Sequence, residues 1–424
     1  MVRSLTFCLI FIAQIATGQE KNLQYYYSQA REAQKTGDHT TFHEMISKAN
    51  ELHPYHQGIM YYRGLAAALT NRPEESIQFL REAILIDATY NLQTEELKSL
   101  SSHNDFKALL QLQQELKQPI VHADTAWVMH DRTLHPESVA AGETNGVFYL
   151  SSVHRRKIVK VDQKRNVTDF TTPGQDGMTS VLGVKVDQSK KILWACSSPM
   201  KEMQHYDTIA GAAVFKYDLK IGKLLARYAP EIQKQGFSFG DLILNKQGEA
   251  FISDSQNNIV FKVNEVTGKL EVYFTSDEFW NIQGIAFSEN EEFLFISDYI
   301  KGIYRLNTKT KELIQLLREP LISLKSVDGL HWYKNSLIAI QNGVKPMRVM
   351  RYILNPALDK VVNYQIIDHN HPAFNEPTNG CIIGDTFYYV ANSQWAGYDD
   401  QHNLKPADQL QDIVILKTDL SKLK

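Results

Sequence analysis

From residue 137 onward the chain repeats one pattern of apolar and polar positions. A polar residue or glycine opens a short apolar run, a Gly/Asn/Asp turn follows, and an aromatic or β-branched run comes next. The pattern is clearest from Asn281 to Tyr299, and it recurs from Gly240 to Ser255. Short alternating runs bounded by turn residues are typical of β-strands. This region is therefore predicted to consist of repeated strand hairpins.

The spacing of the repeats indicates which β architecture they form. Their starts lie roughly 43 to 58 residues apart, which is the length of one four-stranded propeller blade. Six such blades fill the chain from about residue 120 to its end, and a seventh would not fit. We predict a six-bladed β-propeller over residues 119–424. The inner strands of the blades are predicted to start at Glu137, Leu182, Gly240, Gln283, Asp328 and Asn379.

The strand runs also predict how the ring closes. The segment from Thr125 to His130 has the pattern of a single strand that precedes the first blade. The last blade supplies only three runs of its own, which begin at Cys381, Thr386 and Asp412. The early strand is therefore expected to complete the last blade and to remove an exposed sheet edge.

The segment before the propeller has a helical pattern instead. Its small and aromatic positions recur after 34 residues, which resembles the tetratricopeptide repeat, a helix–turn–helix unit. A third apolar stretch, Thr94 to Leu116, would cover the exposed face of the second unit. The matched positions are Tyr26, Tyr27, Ala30 and Ala33 with Met60, Tyr61, Gly64 and Ala67.

These repeats predict an all-α, tetratricopeptide-like domain over residues 19–118, which ends at the linker Gln118-Pro119. Two units offer little concave surface, so packing against the propeller is favoured over peptide binding. A protein partner held by the repeats is the alternative.

The N-terminus has the pattern of a secretory signal, residues 1–18. Arg3 precedes an apolar run from Leu5 to Ile15, and Ala16-Thr17-Gly18 supplies small residues for cleavage. We predict cleavage after Gly18 and a periplasmic or extracellular protein, with an uncleaved anchor as the alternative. No later segment contains 18 consecutive apolar residues, so no membrane span is predicted in the mature chain.

The composition of the chain limits the classes of molecule that it is expected to bind. The formal net charge is −3, which gives no counterion-release drive toward nucleic acid. Small molecules, metal ions and proteins are the better candidates. The mature chain keeps Cys196 and Cys381, which fall in different predicted blades, so no disulfide is expected.

Polar residues at the inner-strand starts are the candidate site. In a propeller these positions converge on one mouth of the central channel. Glu137, Gln283 and Asp328 would meet there as two carboxylates and one amide, with Gly240 and Asp241 beside them. Calcium is the first choice for such an oxygen-rich set, and magnesium or manganese is the second. Without a cation, the two carboxylates would repel each other.

The residues around these positions resemble the senescence marker protein/gluconolactonase family, over about residues 125–420. The resemblance implies a six-bladed propeller that hydrolyses a lactone or ester with one divalent cation. It implies that Glu137, Gln283 and Asp328 hold the cation, that Asp328 or water initiates attack, and that Gly240 and Asp241 lie at the substrate. The matching segments are His135-Pro-Glu-Ser-Val-Ala140, Asn281-Ile-Gln-Gly284 and Ser326-Val-Asp-Gly329.

The chain also departs from the family pattern. Gln283 and Gly240 each replace an Asn, and Ser238 stands where the lactonases of the group carry an Arg. A calcium-dependent lactonase or esterase and a noncatalytic binding or scaffold propeller therefore both remain open. Asp254 and Asp298, each in an Ile-Ser-Asp run, are expected to hold turns rather than ligands.

Overall fold

The computed structural model describes residues 22–206, 211–231 and 236–423. The predicted signal at residues 1–18 lies outside these ranges. The described chain is a six-bladed β-propeller preceded by helices, which confirms the predicted fold class. Within these ranges, no helix is long and apolar enough to cross a membrane.

Within the described residues, five α-helices precede the propeller. The first two begin after residues whose side chains accept a backbone hydrogen bond from the first turn: Asn22 from Tyr25 and Asp38 from Thr41, each at 3.0 Å. The first and third helices begin 34 residues apart, as do the second and fourth, in agreement with the period of the sequence. The helices are α1 Leu23–Thr36, α2 His39–Leu52, α3 Gln57–Leu69, α4 Pro73–Ile84 and α5 Asn104–Lys117, with a 3₁₀ turn Glu95–Leu100 before α5.

Small residues let the helices approach closely. A Cβ atom on Gly64 of α3 would lie 2.7 Å from Leu80 Cγ of α4, and the Ser76 hydroxyl donates to the Gly64 carbonyl at 2.7 Å. Ala30 and Ala67 are fully buried. The small residues that recur after 34 positions therefore lie at helix contacts.

The first four blades are each built from four consecutive antiparallel strands. Two strands precede them, β1 Ile120–Val121 and β2 Asp124–Met129. Blade 1 contains β3 Val139–Ala141, β4 Phe148–Ser152, β5 Lys157–Val161 and β6 Val167–Asp169. Blade 2 contains β7 Ser180–Asp187, β8 Ile192–Ser198, β9 Ala213–Asp218 and β10 Leu224–Tyr228. Blade 3 contains β11 Phe239–Leu244, β12 Ala250–Asp254, β13 Ile259–Asn264 and β14 Lys269–Thr275. Blade 4 contains β15 Ile282–Phe287, β16 Phe293–Asp298, β17 Gly302–Asn307 and β18 Leu313–Gln315.

The last two blades recruit the two early strands. In blade 5, β1 pairs with the outermost strand, and Ile120 lies opposite His369. In blade 6, β2 pairs with β25, and Thr125 lies opposite Leu416. The predicted ring closure is thus confirmed. Blade 5 contains β19 Val327–Tyr333, β20 Ser336–Gln341, β21 Arg348–Leu354 and β22 Val361–His369; blade 6 contains β23 Gly380–Ile383, β24 Thr386–Val390 and β25 Ile413–Asp419.

The core lies between neighbouring blades, where apolar faces of adjacent sheets pack together. Trp127 and Ile415 of blade 6, for example, share one buried cluster with Phe148 and Leu150 of blade 1. Cys196 is buried, and both Cys196 and Cys381 are free thiols, which confirms that they form no disulfide. Packing between sheets therefore holds the ring together.

Four of the six inner strands contain a β-bulge at equivalent positions, and two of these bulges carry residues of the candidate site. In β7, β11, β15 and β19 the pairing with the next strand shifts at the same place. A bulge bends the strand and re-aims its side chains. The residues inside the four shifts are Leu182-Gly183, Gly240-Asp241, Gln283-Gly284 and Asp328-Gly329.

The helical region contacts loops of blades 4 and 5. Both carboxylate oxygens of Glu82 in α4 lie 2.7 Å from Nη2 of Arg318. The backbone of Lys345 accepts from Ala88 at 2.7 Å and donates to Ile86 at 2.8 Å. The loops involved follow β18 and β20, next to the strand that carries Asp328. The helices therefore flank the mouth of the channel at these two blades.

We expect these contacts to hold the two parts together without the covalent linker. After cleavage at a protease site inserted between Gln118 and Pro119, the helical piece should co-elute with the propeller in gel filtration. Glu82→Lys places a cation against Arg318 and should weaken the association about tenfold or more. Separate elution of the cleaved wild-type pieces would contradict stable docking.

Candidate functional site

Glu137, Gln283 and Asp328 belong to three different blades: Glu137 lies two residues before β3, and Gln283 and Asp328 are the second residues of β15 and β19. All three side chains are partly buried. Burial, and then the charge of Asp328, raises the pKa of Glu137 to about 8. The charge of Asp328 thus opposes the ionisation of Glu137.

Glu137 is held through one of its two oxygens. The Ser393 hydroxyl and the Trp395 indole nitrogen both donate to Oε1, the latter at 2.7 Å. The His135 ring nitrogen lies 3.8 Å from the same oxygen. Within the described residues no group donates to Oε2, so this oxygen is open.

Asp328 is held in the same manner. The Asn342 side-chain amide donates from Nδ2 to Oδ2 at 2.6 Å, and the Tyr299 hydroxyl donates to Asn342 Oδ1 at 2.9 Å. Burial raises the pKa of Asp328 to about 6; Asn342 opposes this rise, and the charges of Asp241 and Glu376 add to it. Oδ1 accepts no hydrogen bond from the part of the chain that the structure describes.

Gln283 completes the set with an amide oxygen. Its Nε2 donates to Asn281 Oδ1 at 2.7 Å, which leaves Oε1 open. A Cβ atom on Gly240 would lie 3.4 Å from this Oε1. The longer side chain from blade 4 thus reaches the space in front of blade 3 that the glycine leaves free. The two departures from the family pattern, at positions 240 and 283, are complementary in size.

The three residues therefore share one arrangement: one polar atom is fixed by a neighbour and one oxygen is open. None of the open oxygens is sealed from solvent. Oriented, unpartnered oxygens from two carboxylates and an amide are the ligand types that a hard divalent cation prefers, and the neighbouring donors would keep them oriented toward such an ion. No group of three or more His, Cys, Asp or Glu in the described ranges forms a metal site, so the amide is needed to complete this set.

Asp241 lies beneath the mouth and is buried. Its Oδ1 accepts from the Leu242 amide and from Asn379 Nδ2, each at 2.8 Å, and its Oδ2 accepts from the Ile285 amide at 3.3 Å. These donors belong to blades 3, 6 and 4, so one carboxylate joins three blades across the channel. Its predicted contact with a substrate, like that of Gly240, stays a prediction.

Several residues at the mouth were not predicted from the sequence. Ser393 and Trp395 belong to the insertion 391–412, which separates β24 from β25 in place of a short turn. Glu376, which precedes β23, accepts from the Ala396 amide at 3.3 Å, and its charge raises the pKa of both Glu137 and Asp328. The length of the insertion was the available signal, since hairpin loops are usually far shorter.

Asp254 and Asp298 hold turns, as predicted. Asp298 is fully buried and accepts from the backbone amides of Trp280, Asn281, Ile300 and Lys301. Asp254 accepts from the amides of Ser238 and Gln256. Both carboxylates are therefore engaged in the structure of their blades.

Known proteins resemble this chain in fold. Neither a protein-family model nor a curated protein matches the sequence. A gluconolactonase from Xanthomonas campestris is 14% identical, with 73% of this chain and 98% of that chain covered at a TM-score of 0.47. An aldose sugar dehydrogenase from Streptomyces coelicolor, solved with bound PQQ, is 14% identical, covering 71% and 98% at a TM-score of 0.46. Virginiamycin B lyase from Staphylococcus aureus is 13% identical, covering 70% and 99% at a TM-score of 0.45. These names denote different reactions.

Proposed function

We propose that this protein is a divalent-cation-dependent hydrolase of a lactone or ester. The observation that carries the proposal is the set of open oxygens on Glu137, Gln283 and Asp328, each on a different blade and each fixed through its other polar atom. Calcium is the preferred ion because it accepts carboxylate and amide oxygens in a flexible geometry.

Glu137 Oε2, Gln283 Oε1 and Asp328 Oδ1 would hold the ion. Its positive charge offsets the repulsion between the two carboxylates. When bound, the ion supplies polarisation of the substrate carbonyl and stabilisation of the negative charge that develops on its oxygen.

Asp328 is the proposed base. Its carboxylate can accept a proton from water while that water adds to the carbonyl carbon. Asn342 and Tyr299 keep the carboxylate oriented during this step. The proton then passes to the departing alkoxide as the carbon–oxygen bond of the ester or lactone breaks.

Ser238 bears on the substrate class. Its backbone amide donates to Asp254 at 2.9 Å and its carbonyl accepts from Ser255 at 2.9 Å, so it belongs to a turn of blade 3. No guanidinium stands at this position to bind the hydroxyls of a sugar lactone. We therefore propose a less hydroxylated lactone or ester as substrate.

The test is a panel of δ-valerolactone, glucono-δ-lactone and phenyl acetate, assayed with calcium, manganese, magnesium or EDTA. Turnover of δ-valerolactone or phenyl acetate should require a cation, and Asp328→Asn should lower kcat/KM about a thousandfold. Asp277→Asn is the matched control, because Asp277 is exposed. Undiminished hydrolysis by Asp328→Asn would refute the assignment of the base.

A noncatalytic propeller is the second candidate. The helical region, fixed beside the mouth through Glu82 and Arg318, favours it, because an attached helical module suits assembly with a partner. Cation binding at Glu137, Gln283 and Asp328 with no turnover of any panel substrate would favour this second function.

A further inference from the structure

A cavity of about 750 Å³ lies between the helical region and blades 4 and 5. Its size is within the range of small-molecule sites. The helical side contributes Tyr55, Met60 and Phe79, and the propeller side contributes Leu316 and Leu324. Much of the wall is therefore apolar or aromatic.

The charges in this cavity are mostly positive. It is lined by four cationic side chains and one carboxylate, Glu82. Glu82 is already engaged by Arg318, and Lys301 binds Glu278 at 3.2 Å. The remaining two cations, Arg81 and Lys325, have no carboxylate partner among the residues that the structure describes.

Lys325 is partly buried, and its charge is not balanced by a carboxylate of the described residues. Its ammonium lies 4.9 Å from the centre of the Tyr55 ring, and no described side chain accepts a hydrogen bond from it. Burial lowers the pKa of Lys325 to about 8, while the charge of Glu82 opposes this effect and that of Arg318 adds to it. Keeping an ammonium charged in a poorly solvated position with one cation–π contact costs free energy. An anion bound in the cavity would reduce this cost by pairing with the ammonium.

We propose that this cavity binds a small organic carboxylate with an apolar body. The carboxylate pairs with Lys325, and the apolar body packs against Tyr55, Phe79 and Leu324. Such a ligand contacts both the helical region and the propeller, so its binding also strengthens their association. This site is separate from the mouth of the channel, and its existence does not depend on hydrolytic activity.

The test compares octanoate with 1-octanol, which share an apolar chain and differ in charge. Isothermal titration calorimetry on the full chain should show octanoate binding about tenfold or more tightly than 1-octanol. Lys325→Met keeps the length of the side chain and should abolish this preference. Lys309→Met, at an exposed position of blade 4, should leave it unchanged.

A second variant tests the cavity itself while Lys325 is intact. Gln78 is exposed on α4 and lines the cavity, so Gln78→Trp should narrow it and weaken octanoate binding about tenfold without disturbing the core. Equal binding of octanoate and 1-octanol to the wild type would overturn the proposal. Wild-type affinity for octanoate in both Lys325→Met and Gln78→Trp would overturn it as well.

Discussion

Calcium should raise the thermal unfolding midpoint of the wild-type protein by several degrees, and Asp328→Asn should remove most of this rise. A ligand that binds only the folded state stabilises it by about 2.7 kcal/mol at 100 times its dissociation constant. Asp328 supplies one of two carboxylates to the proposed ion, so its neutral isostere leaves a single charged ligand. Differential scanning fluorimetry with calcium or EDTA measures the effect.

The stabilisation should also depend on pH. In the cation-free protein the pKa values of Glu137 and Asp328 are raised to about 8 and about 6, above the ordinary values of 4.5 and 3.8. At pH values between the ordinary pKa of each group and its raised pKa, the folded state holds more protons than the unfolded state. The stability of the cation-free protein therefore falls as pH rises through this interval. Calcium requires both groups ionised, so its stabilising effect should grow over the same interval.

The control for this experiment must be an exposed acid. Asp298 is unsuitable, because it accepts four backbone hydrogen bonds and its removal would destabilise blade 4. Asp277 and Glu289 are exposed, so Asp277→Asn and Glu289→Gln should keep the full calcium effect, while Glu137→Gln should lose it. An undiminished calcium effect in Asp328→Asn and Glu137→Gln would end the metal proposal.

Asp241→Ala should lower the free energy of unfolding by about 3 kcal/mol. The substitution leaves the Leu242 and Ile285 amides and the Asn379 side chain without their acceptor in a buried position. Burial raises the pKa of Asp241 despite the opposing charge of Lys185, so the cost of desolvating the carboxylate offsets part of the gain. This is why the expected loss is smaller than the sum of three charged hydrogen bonds.

Urea unfolding of Asp241→Ala and of Asp277→Ala, both without calcium, measures this loss. Asp277→Ala should stay within about 0.5 kcal/mol of the wild type, as surface substitutions usually do. Asp241→Asn keeps one acceptor oxygen, so its loss in free energy of unfolding should lie between those of Asp277→Ala and Asp241→Ala. Wild-type stability in Asp241→Ala would show that the ring does not depend on this bridge.

The fold was predictable because each blade repeats the same local pattern. The strand runs gave the number of blades, and the missing fourth run of blade 6 gave the role of β2. The mouth residues Glu137, Gln283 and Asp328 were found because each opens an inner strand. Their position at one end of the channel follows from the repeated geometry alone.

The rest of the site depends on contacts that no local pattern encodes. The bridge between Asp241 and Asn379 joins residues 138 positions apart, and it arises because Asp241 is the second residue of its bulge and is directed beneath the mouth. Trp395 reaches Glu137 from an insertion 258 positions away. In the sequence, Gly240 and Gln283 are two separate departures from the pattern that the chain resembles, and only the structure shows that Gln283 Oε1 lies in front of Gly240.

The pairing of β2 with β25 has a consequence for the order of events on the ribosome. β2 ends at Met129, and its partner begins at Ile413, 284 residues later. At a synthesis rate of about 5 to 20 residues per second, roughly 15 to 60 s pass between the synthesis of β2 and the synthesis of β25. During that interval β2 is an unpaired edge that a chaperone or a neighbouring nascent chain can engage. A nonsense mutation before β25 would make this state permanent, so even a late truncation should yield an aggregating product rather than a shortened propeller.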